Sequence, residues 1–245
     1  MAAADATAPD FSIVVPVFDE SGAAPALARE IAAAFAGLSH EIIFVDDASR
    51  DDTKARLVAL RAELPQLRVL GHRKNAGQSR AVRTGVLAAR APIVVTLDGD
   101  GQNDPADAPR LAQALKAAAP EVGLIGGERA KRQDDWSKKY ASRIANAARR
   151  AMLNDETNDA GCGLKVFRRD AFLLLPFFDH LHRYLPAMML REGYKVEFQK
   201  VNHRPRETGV SKYNNLGRLW ASFGDMTGVM WLQRRGRNPG GWDEA

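Results

Sequence analysis

Three short runs of almost unbroken apolar, β-branched residues constrain the fold of this chain more than any other feature: Phe11 to Val17 (FSIVVPV), Glu41 to Val45 (EIIFV) and Pro92 to Leu97 (PIVVTL). A strand with one wet face alternates apolar and polar residues. A strand without alternation has both faces covered, as in a parallel sheet flanked by helices. Arg68 to Gly71 is a weaker run of the same kind. Between the runs lie the alanine- and leucine-rich stretches Pro25 to Phe35, Asp52 to Leu64 and Ser79 to Ala89, so the order reads β-α-β-α-β-α-β. The pattern predicts a doubly wound α/β domain with a mostly parallel central sheet. A length of 245 residues suits one such core with a small appendage and is too short for two.

Ligands of a doubly wound sheet gather beyond the carboxyl ends of its strands. Polar residues stand there in three clusters: Asp19 and Glu20 after the first run, Asp46, Asp47 and Ser49 after the second, and Asp98, Asp100 and Gln102 after the run ending at Leu97. One acid at a strand end is accounted for by capping the next helix, a role open to Asp51 or Asp52. Capping does not account for three clusters at one edge. From Val122 the regularity fades into a strand-like VGLIGG, a polar stretch from Glu128 to Lys139, a helix through Arg150 and the segment NDAGCG. A further helix holding His182, Arg183 and Tyr184 and a strand from Lys195 to Asn202 follow, and no internal repeat is visible.

A formal charge of +5 and a pI of about 9.5 favour anionic partners without choosing among nucleic acid, nucleotide diphosphates and acidic lipid. The basic residues have no aromatic platform or recognised motif among them, which argues against nucleic acid. A single cysteine, Cys162, excludes an intramolecular disulfide and fits a reducing, cytoplasmic setting. Met1 to Pro9 lacks the basic and apolar regions of a secretory signal, and no run approaches the ~18 apolar residues of a spanning helix.

The segment TLDGDGQNDP places two carboxylates two residues apart at a strand end, with glycines that admit close backbone approach. Such a pair suits a hard divalent cation, Mg²⁺ or Mn²⁺, that leaves positions open for a diphosphate. A phosphatase of the haloacid-dehalogenase type also has an Asp-x-Asp-Gly-like stretch, but normally on the first strand of its domain. Here two acid-tipped strands precede it, and Gln102 follows where that chemistry has Thr. A nucleotide-binding module without catalysis is a remote alternative, opposed by the intact Asp98 and Asp100.

VVPVFDE, VDDASRDDT, NAGQSRAVRTG and LDGDGQ occur in the order and approximate spacing of inverting family 2 glycosyltransferases, which this chain therefore resembles. HRPRETGVSKY is similar to an element of the polyprenyl-phosphate branch, typified by dolichol-phosphate mannose synthases. The likeness runs from Phe11 to Tyr213. It implies a Rossmann-like, glycosyltransferase A-type catalytic domain over residues 10–213, followed by a C-terminal amphipathic helix and tail over 214–245.

By position, the resemblance implies that Pro16, Phe18, Glu20 and Asp47, with Asp46 beside them and Gly77 in NAGQ, hold the nucleotide. Asp98, Asp100 and Gln102 match the metal site, with Gly99 at the diphosphate and Gly101 where the family often has Leu. Arg129 and Lys138 match phosphate-facing positions. At Lys138 some relatives have an arginine, and lysine offers a point charge in place of a planar fork. Arg206, Ser211 and Lys212 match a phosphate-handling loop, which two cations and a hydroxyl suit. Asp159, Gly163 and Lys165 (DAGCGLK) match an acceptor-side element in which Cys162 is a small buried residue. Asp98, Asp100, Arg129, Arg206 and Lys212 are the residues expected to carry catalysis.

The implied reaction moves a sugar from a GDP- or UDP-linked donor (GDP-mannose, UDP-glucose, or a UDP-linked uronic acid or amino sugar) to a polyprenyl phosphate, with inversion. A phosphate monoester, with a second pKa of ~6, is already ionised at neutral pH and needs no strong base. A sugar hydroxyl of a polysaccharide or glycolipid, the alternative acceptor, would need one. The base pair that hydroxyl-using members carry after the metal loop is missing, leaving Asp159 as the substitute. Many bacterial relatives continue into two transmembrane helices. Here Leu216, Leu219, Trp220, Phe223, Thr227, Met230 and Trp231 recur at helical spacing before Arg234, Arg235 and Arg237. That helix either lies in a membrane interface or packs on the core or a partner subunit. The expectation is peripheral attachment to the inner face of the membrane, aided by a small membrane-anchoring partner or by homo-oligomerisation.

Overall fold

Strands without alternation must be covered on both faces, and the computed structural model covers them. It describes residues 8–129, 152, 153, 155, 157, 159, 161–204 and 215–237, and of 215–223 the backbone alone. The apolar runs form β1 (Phe11–Val17), β2 (His40–Asp46), β3 (Leu67–Gly71) and β4 (Ile93–Thr96). Helices α1 (Ala24–Ala34), α2 (Thr53–Leu60) and α3 (Gln78–Ala88) alternate with them. Then come α4 (Ala108–Ala117), β5 (Val122–Arg129), β6 (Lys165–Arg168), α5 (Arg169–Leu174), α6 (Leu181–Arg191), β7 (Lys195–Val201) and α7 (Asn215–Arg235).

Among the described residues seven strands form one sheet in the order β3-β2-β1-β4-β6-β5-β7. All are parallel except β6, which runs antiparallel to both β4 and β5. The alternate residues of β1 feed two cores. Ile13 and Val15 pack with Leu27, Ile31, Leu57 and Leu111 from α1, α2 and α4. Val14 packs with Val82, Val86, Phe172 and Leu185 from α3, α5 and α6. α3 lies so close to the sheet that a Cβ on Gly85 would sit 2.3 Å from Val14 Cγ1.

One polar network lies inside the sheet. Ser12 stands opposite Glu41 in the β1–β2 register. The buried Glu41 carboxylate accepts from Ser12 Oγ (2.7 Å), Arg68 Nη1 (2.6 Å) and the Arg90 backbone N–H (2.7 Å). Removing one partner of a buried ion pair costs roughly 3–5 kcal/mol, so this carboxylate belongs to the architecture.

Two features were not foreseen. The antiparallel strand β6 is four residues long and begins at Lys165, the last residue of the acceptor-side element DAGCGLK. α2 ends at Leu60, and Glu63 and Leu64 both donate backbone N–H bonds back to Leu60. At its start the Asp51 carboxylate accepts from the backbone N–H groups of Thr53 and Ser21, whereas Asp52 makes no capping bond. The described half of α7 packs on α6 through Val229, Met226 and Met230, and Gln233 Nε2 donates to Leu153 O. Thr227 and Trp231, expected on the apolar stripe, face outward, with Trp231 59% exposed.

Candidate active site

Because β1, β2 and β4 run parallel, their carboxyl ends share one edge, and a cavity of about 700 Å³ opens there. Pro16, Phe18, Glu20 and Asp47 line one side, and Gly77 and Gln78 at the start of α3 continue it. Asp98, Gly99 and Asp100 form its edge beyond β4. Lys165 of β6, which pairs with Thr96 of β4, also lines it, as do His182 and Arg183 of α6.

On the first side the loops after β1 and β2 are bonded to each other. Asp19, at φ +52°, receives Arg50 through its guanidinium (2.6 Å) and its backbone N–H (2.7 Å). Ser49 Oγ accepts from the Asp19 N–H at 2.9 Å, and the Arg50 guanidinium lies 5.3 Å from the Phe18 ring centroid. Asp47 is buried, and its carboxylate accepts from the N–H groups of Ala76 (2.9 Å) and Gly77 (2.7 Å) while meeting His72 Nδ1 at 2.6 Å. It thereby fixes the loop before α3. Asp46 is also buried but does not line the cavity; its Oδ2 accepts from the Ser49 N–H, and Oδ1 has no partner among the described residues.

The DGDG turn is held by close approach. A Cβ on Gly99 would lie 2.7 Å from Pro16 O, and one on Gly163 only 2.2 Å from Asp98 Oδ2. Asp98 Oδ1 accepts from Gln78 Nε2 at 2.7 Å, and its N–H donates to Asn103 Oδ1. Burial first, then the charge of Asp100, pushes the Asp98 carboxyl above its usual range, opposed by Lys165 and Gln78. Two neighbouring carboxylates whose charges repel suit a hard divalent cation with positions left for substrate oxygens. No group of three or more His, Cys, Asp or Glu in a metal-holding arrangement occurs among the described residues. Gln102 contributes backbone: its N–H donates to Asp100 Oδ1 (3.1 Å), and its carbonyl accepts from the Arg204 N–H (2.9 Å). Its side chain is not among those lining the cavity.

Arg129 does not line the cavity either. Its guanidinium grips Asp159 in a two-pronged pair at 2.5 and 2.6 Å, with both side chains largely buried. Lys138, Arg206, Ser211 and Lys212 lie outside the described residues. Just before the last three of these, His203 pairs with Asn103 of the loop after β4, and Arg204 joins Asp104 and Glu30. The Cys162 thiol is pushed up mainly by burial, so the residue is an unreactive part of the wall.

Sequence reasoning did not place Gln78, His182 or Arg183 among the site residues, and gave Lys165 only as part of the acceptor-side element. All four lie within stretches it singled out, but only tertiary structure brings α6 beside α3. Ser79 Oγ meets His182 Nδ1 at 2.7 Å across that junction and accepts from the His182 N–H at 3.3 Å. Burial, followed by the charges of Lys165 and Arg183, holds the His182 imidazole well below its usual range, so it is neutral at pH 7. His180, left-handed at φ +67°, turns the chain into α6 and is anchored to Asp225 of α7 at 2.7 Å.

The comparisons with known proteins agree with this geometry. The chain is 33% identical over 238 residues to dodecaprenyl-phosphate galacturonate synthase of Rhizobium johnstonii, a match covering 94% of this chain and 69% of that protein. It is 37% identical over 213 residues to undecaprenyl-phosphate 4-deoxy-4-formamido-L-arabinose transferase of Sodalis glossinidius, covering 83% and 62% of the two chains. It thus spans roughly two thirds of the length of these relatives. Among solved structures it is similar to glucosyl-3-phosphoglycerate synthase of Mycobacterium tuberculosis with UDP (TM-score 0.68, 20% identity, 95% of this chain and 82% of the other). The same enzyme with Mn²⁺, UDP-glucose and phosphoglyceric acid superposes equally well, at TM-score 0.68 and 18% identity over the same shares of the two chains. The fold is the glycosyltransferase A type expected from the strand pattern and motifs. Residues 12–174, from β1 through the acidic edge to α5, match the family described as Glycosyl transferase family 2, and the chain is a member of that family.

Proposed function

We propose that this protein transfers a sugar from a nucleotide-diphosphate donor to the phosphate of a polyprenyl phosphate, inverting the anomeric carbon. The observation that carries the choice of acceptor is the Arg129–Asp159 pair. Asp159 is the carboxylate that could have served as base for a hydroxyl acceptor, and it is buried against a guanidinium at 2.5 and 2.6 Å. A carboxylate so paired is a poor proton acceptor. An acceptor that arrives already ionised makes a base unnecessary. The names of the two relatives, both polyprenyl-phosphate enzymes, support the same choice and favour a uronic acid or amino sugar over mannose.

Pro16, Phe18, Glu20 and Asp47 would seat the nucleotide, with Asp46 and Gly77 shaping the pocket around it. Asp98 and Asp100 would hold Mg²⁺ or Mn²⁺, with Gln102 tying their loop. When bound, such a cation supplies charge neutralisation for the departing diphosphate. Gln78 keeps the Asp98 carboxylate oriented. The acceptor oxygen attacks the anomeric carbon in line, the glycosidic bond to the diphosphate breaks, and the electron pair leaves with the nucleoside diphosphate. Lys138, Arg206, Ser211 and Lys212 are proposed to offset repulsion between the two anions. Residues 10–213 form the catalytic unit and 214–245 an appended segment.

Attachment to the membrane surface follows from the lipid acceptor. No helix among the described residues is long and apolar enough to cross a membrane. The exposed Trp231, with Arg235 5.8 Å from its ring centroid and Arg234 beside it, offers an aromatic-cationic contact with anionic lipid. A membrane-anchoring partner or a second copy of the chain could reinforce it.

The test is incubation with Mn²⁺ or Mg²⁺, a short polyprenyl phosphate and a panel of UDP- and GDP-sugars. A mass gain of one sugar on the lipid phosphate is expected with a UDP-uronic acid or UDP-amino sugar. Nucleotide binding without any lipid product would overturn the acceptor.

A further inference from the structure

His72 lies outside every motif quoted above, yet both of its ring nitrogens are bonded, one of them to a carboxylate that lines the cavity. It follows β3, and its backbone N–H donates to Asp46 O at 2.8 Å, which sets it beside the end of β2. From there Nδ1 reaches Asp47 Oδ1 at 2.6 Å, and Nε2 meets Thr84 Oγ1 of α3 at 2.9 Å. An ionised carboxylate can only accept, so Nδ1 carries a hydrogen. A hydroxyl both donates and accepts, so Thr84 holds Nε2 whether or not that nitrogen is protonated. The ring is clamped between Asp47 and α3 in either charge state.

The Asp47 carboxylate is thereby almost fully used. Oδ1 accepts from His72 and from the Ala76 N–H (2.9 Å), and Oδ2 accepts from the Gly77 N–H (2.7 Å). A carboxylate oxygen has two lone pairs, so Oδ1 is filled and Oδ2 keeps one acceptor position. Asp47 lines the cavity together with Pro16, Phe18 and Glu20, whereas His72 and Thr84 do not. Without His72 the carboxylate would be held only by two consecutive N–H groups of one loop. Oδ1 would also regain an acceptor position, so a ligand N–H would meet two alternatives in place of one.

We propose that His72 is a positioning residue for the donor nucleotide: backed by Thr84, it occupies Oδ1 of Asp47 and leaves Oδ2 as one fixed acceptor for an N–H of the nucleobase. The inference rests on the reading that Asp47 seats the nucleotide and deepens it, by naming the residue through which the seat is held and the half of the ligand it serves. The diphosphate is served by Asp98 and Asp100, so the effect of His72 is confined to the base.

The experiment titrates UDP and GDP, with inorganic pyrophosphate as the base-free comparison, against wild type, His72→Phe, His72→Asn, Thr84→Val, Asp47→Asn and the His72→Phe/Asp47→Asn double variant, all with Mn²⁺. Tm reports on folding. Loss of a hydrogen bond to a charged group should weaken the tighter-binding nucleotide about tenfold in His72→Phe. His72→Asn, whose amide can donate from near the Nδ1 position, should recover part of that loss, and Thr84→Val should show a smaller one. Pyrophosphate affinity should stay at the wild-type value in both His72 variants, and transfer should show a raised donor KM with kcat little changed. The double variant should bind no worse than Asp47→Asn alone, because His72 acts through that carboxylate.

Unchanged nucleotide affinity in His72→Phe would overturn the positioning role. So would an equal loss of pyrophosphate affinity, the mark of a cavity disturbed as a whole, and so would additive losses in the double variant. The inference and the reading beneath it separate in Asp47→Asn. Wild-type nucleotide affinity there would remove the nucleotide seat itself, whereas a weakened Asp47→Asn beside an unchanged His72→Phe removes His72 alone.

Discussion

Replacing Gly163 by alanine tests whether the Asp98 carboxylate must stay where the structure puts it. A Cβ there would stand 2.2 Å from Asp98 Oδ2, 2.3 Å from its Cγ and 2.6 Å from Asn103 Oδ1, whereas ordinary contact begins at 3.4 Å. Asn103 is itself buried and bound to the Asp98 N–H, so the easier movement is rotation of the Asp98 carboxyl toward the cavity. The required retreat is roughly 1 Å, a displacement that at a reacting centre costs about 10²-fold in rate. Overpacking of this kind costs about 1–3 kcal/mol of stability, too little to unfold a well-packed domain. The assay is kcat/KM for sugar transfer beside a Mn²⁺ titration of UDP binding and a thermal melt. Gly161→Ala, whose Cβ would meet Arg129 Nη2 at 3.2 Å and Asp159 Oδ1 at 3.8 Å, serves as the mild control. Transfer within about threefold of wild type in Gly163→Ala would refute the view that Asp98's position is critical, since a 1 Å shift should be worth far more.

Asp98→Asn removes a carboxylate whose pKa the fold raises. Its ionised form is penalised in the folded state, fully at pH values above the folded pKa and not at all below the unfolded one, so the variant should melt higher than wild type at pH 7 while losing transfer; a lower Tm would contradict the burial argument. Asp159→Asn takes from the largely buried Arg129 the carboxylate that grips it and should cost up to roughly 3–5 kcal/mol, read by denaturant unfolding, with measurable transfer by the molecules that remain folded. Full stability with transfer abolished would instead make Asp159 a base. The combined Trp231→Ala, Arg234→Ala and Arg235→Ala variant should lose sedimentation with anionic vesicles while keeping UDP affinity, and unchanged sedimentation would move the membrane contact elsewhere.

The parts of the fold legible in the sequence are those set by local pattern. β1, β2 and β4 are β-branched runs buried on both faces, and parallel pairing of such runs necessarily delivers Asp47, Asp98 and Asp100 to one edge. β6 was not legible because its pattern is too brief, KVFR with a charge at each end, and its antiparallel pairing between β4 and β5 is a tertiary fact. The same strand brings Lys165 to the cavity. Nor could spacing show that Arg129 and Asp159, 30 residues apart, would hold each other, or that Ser79 would fix His182 across 103 residues. In α7 the sequence gives the helix, but Val229 faces α6 while Trp231 faces out, a rotation that depends on which stripe fits its neighbour.

Side-by-side rates for one purified enzyme and one sugar donor, offered polyprenyl phosphate, polyprenol and a free oligosaccharide, test most directly whether the acceptor must arrive ionised. Transfer to polyprenyl phosphate alone is predicted, since no carboxylate base is invoked to activate a hydroxyl. Efficient glycosylation of polyprenol or the oligosaccharide, with little or none on the phosphate, would contradict it.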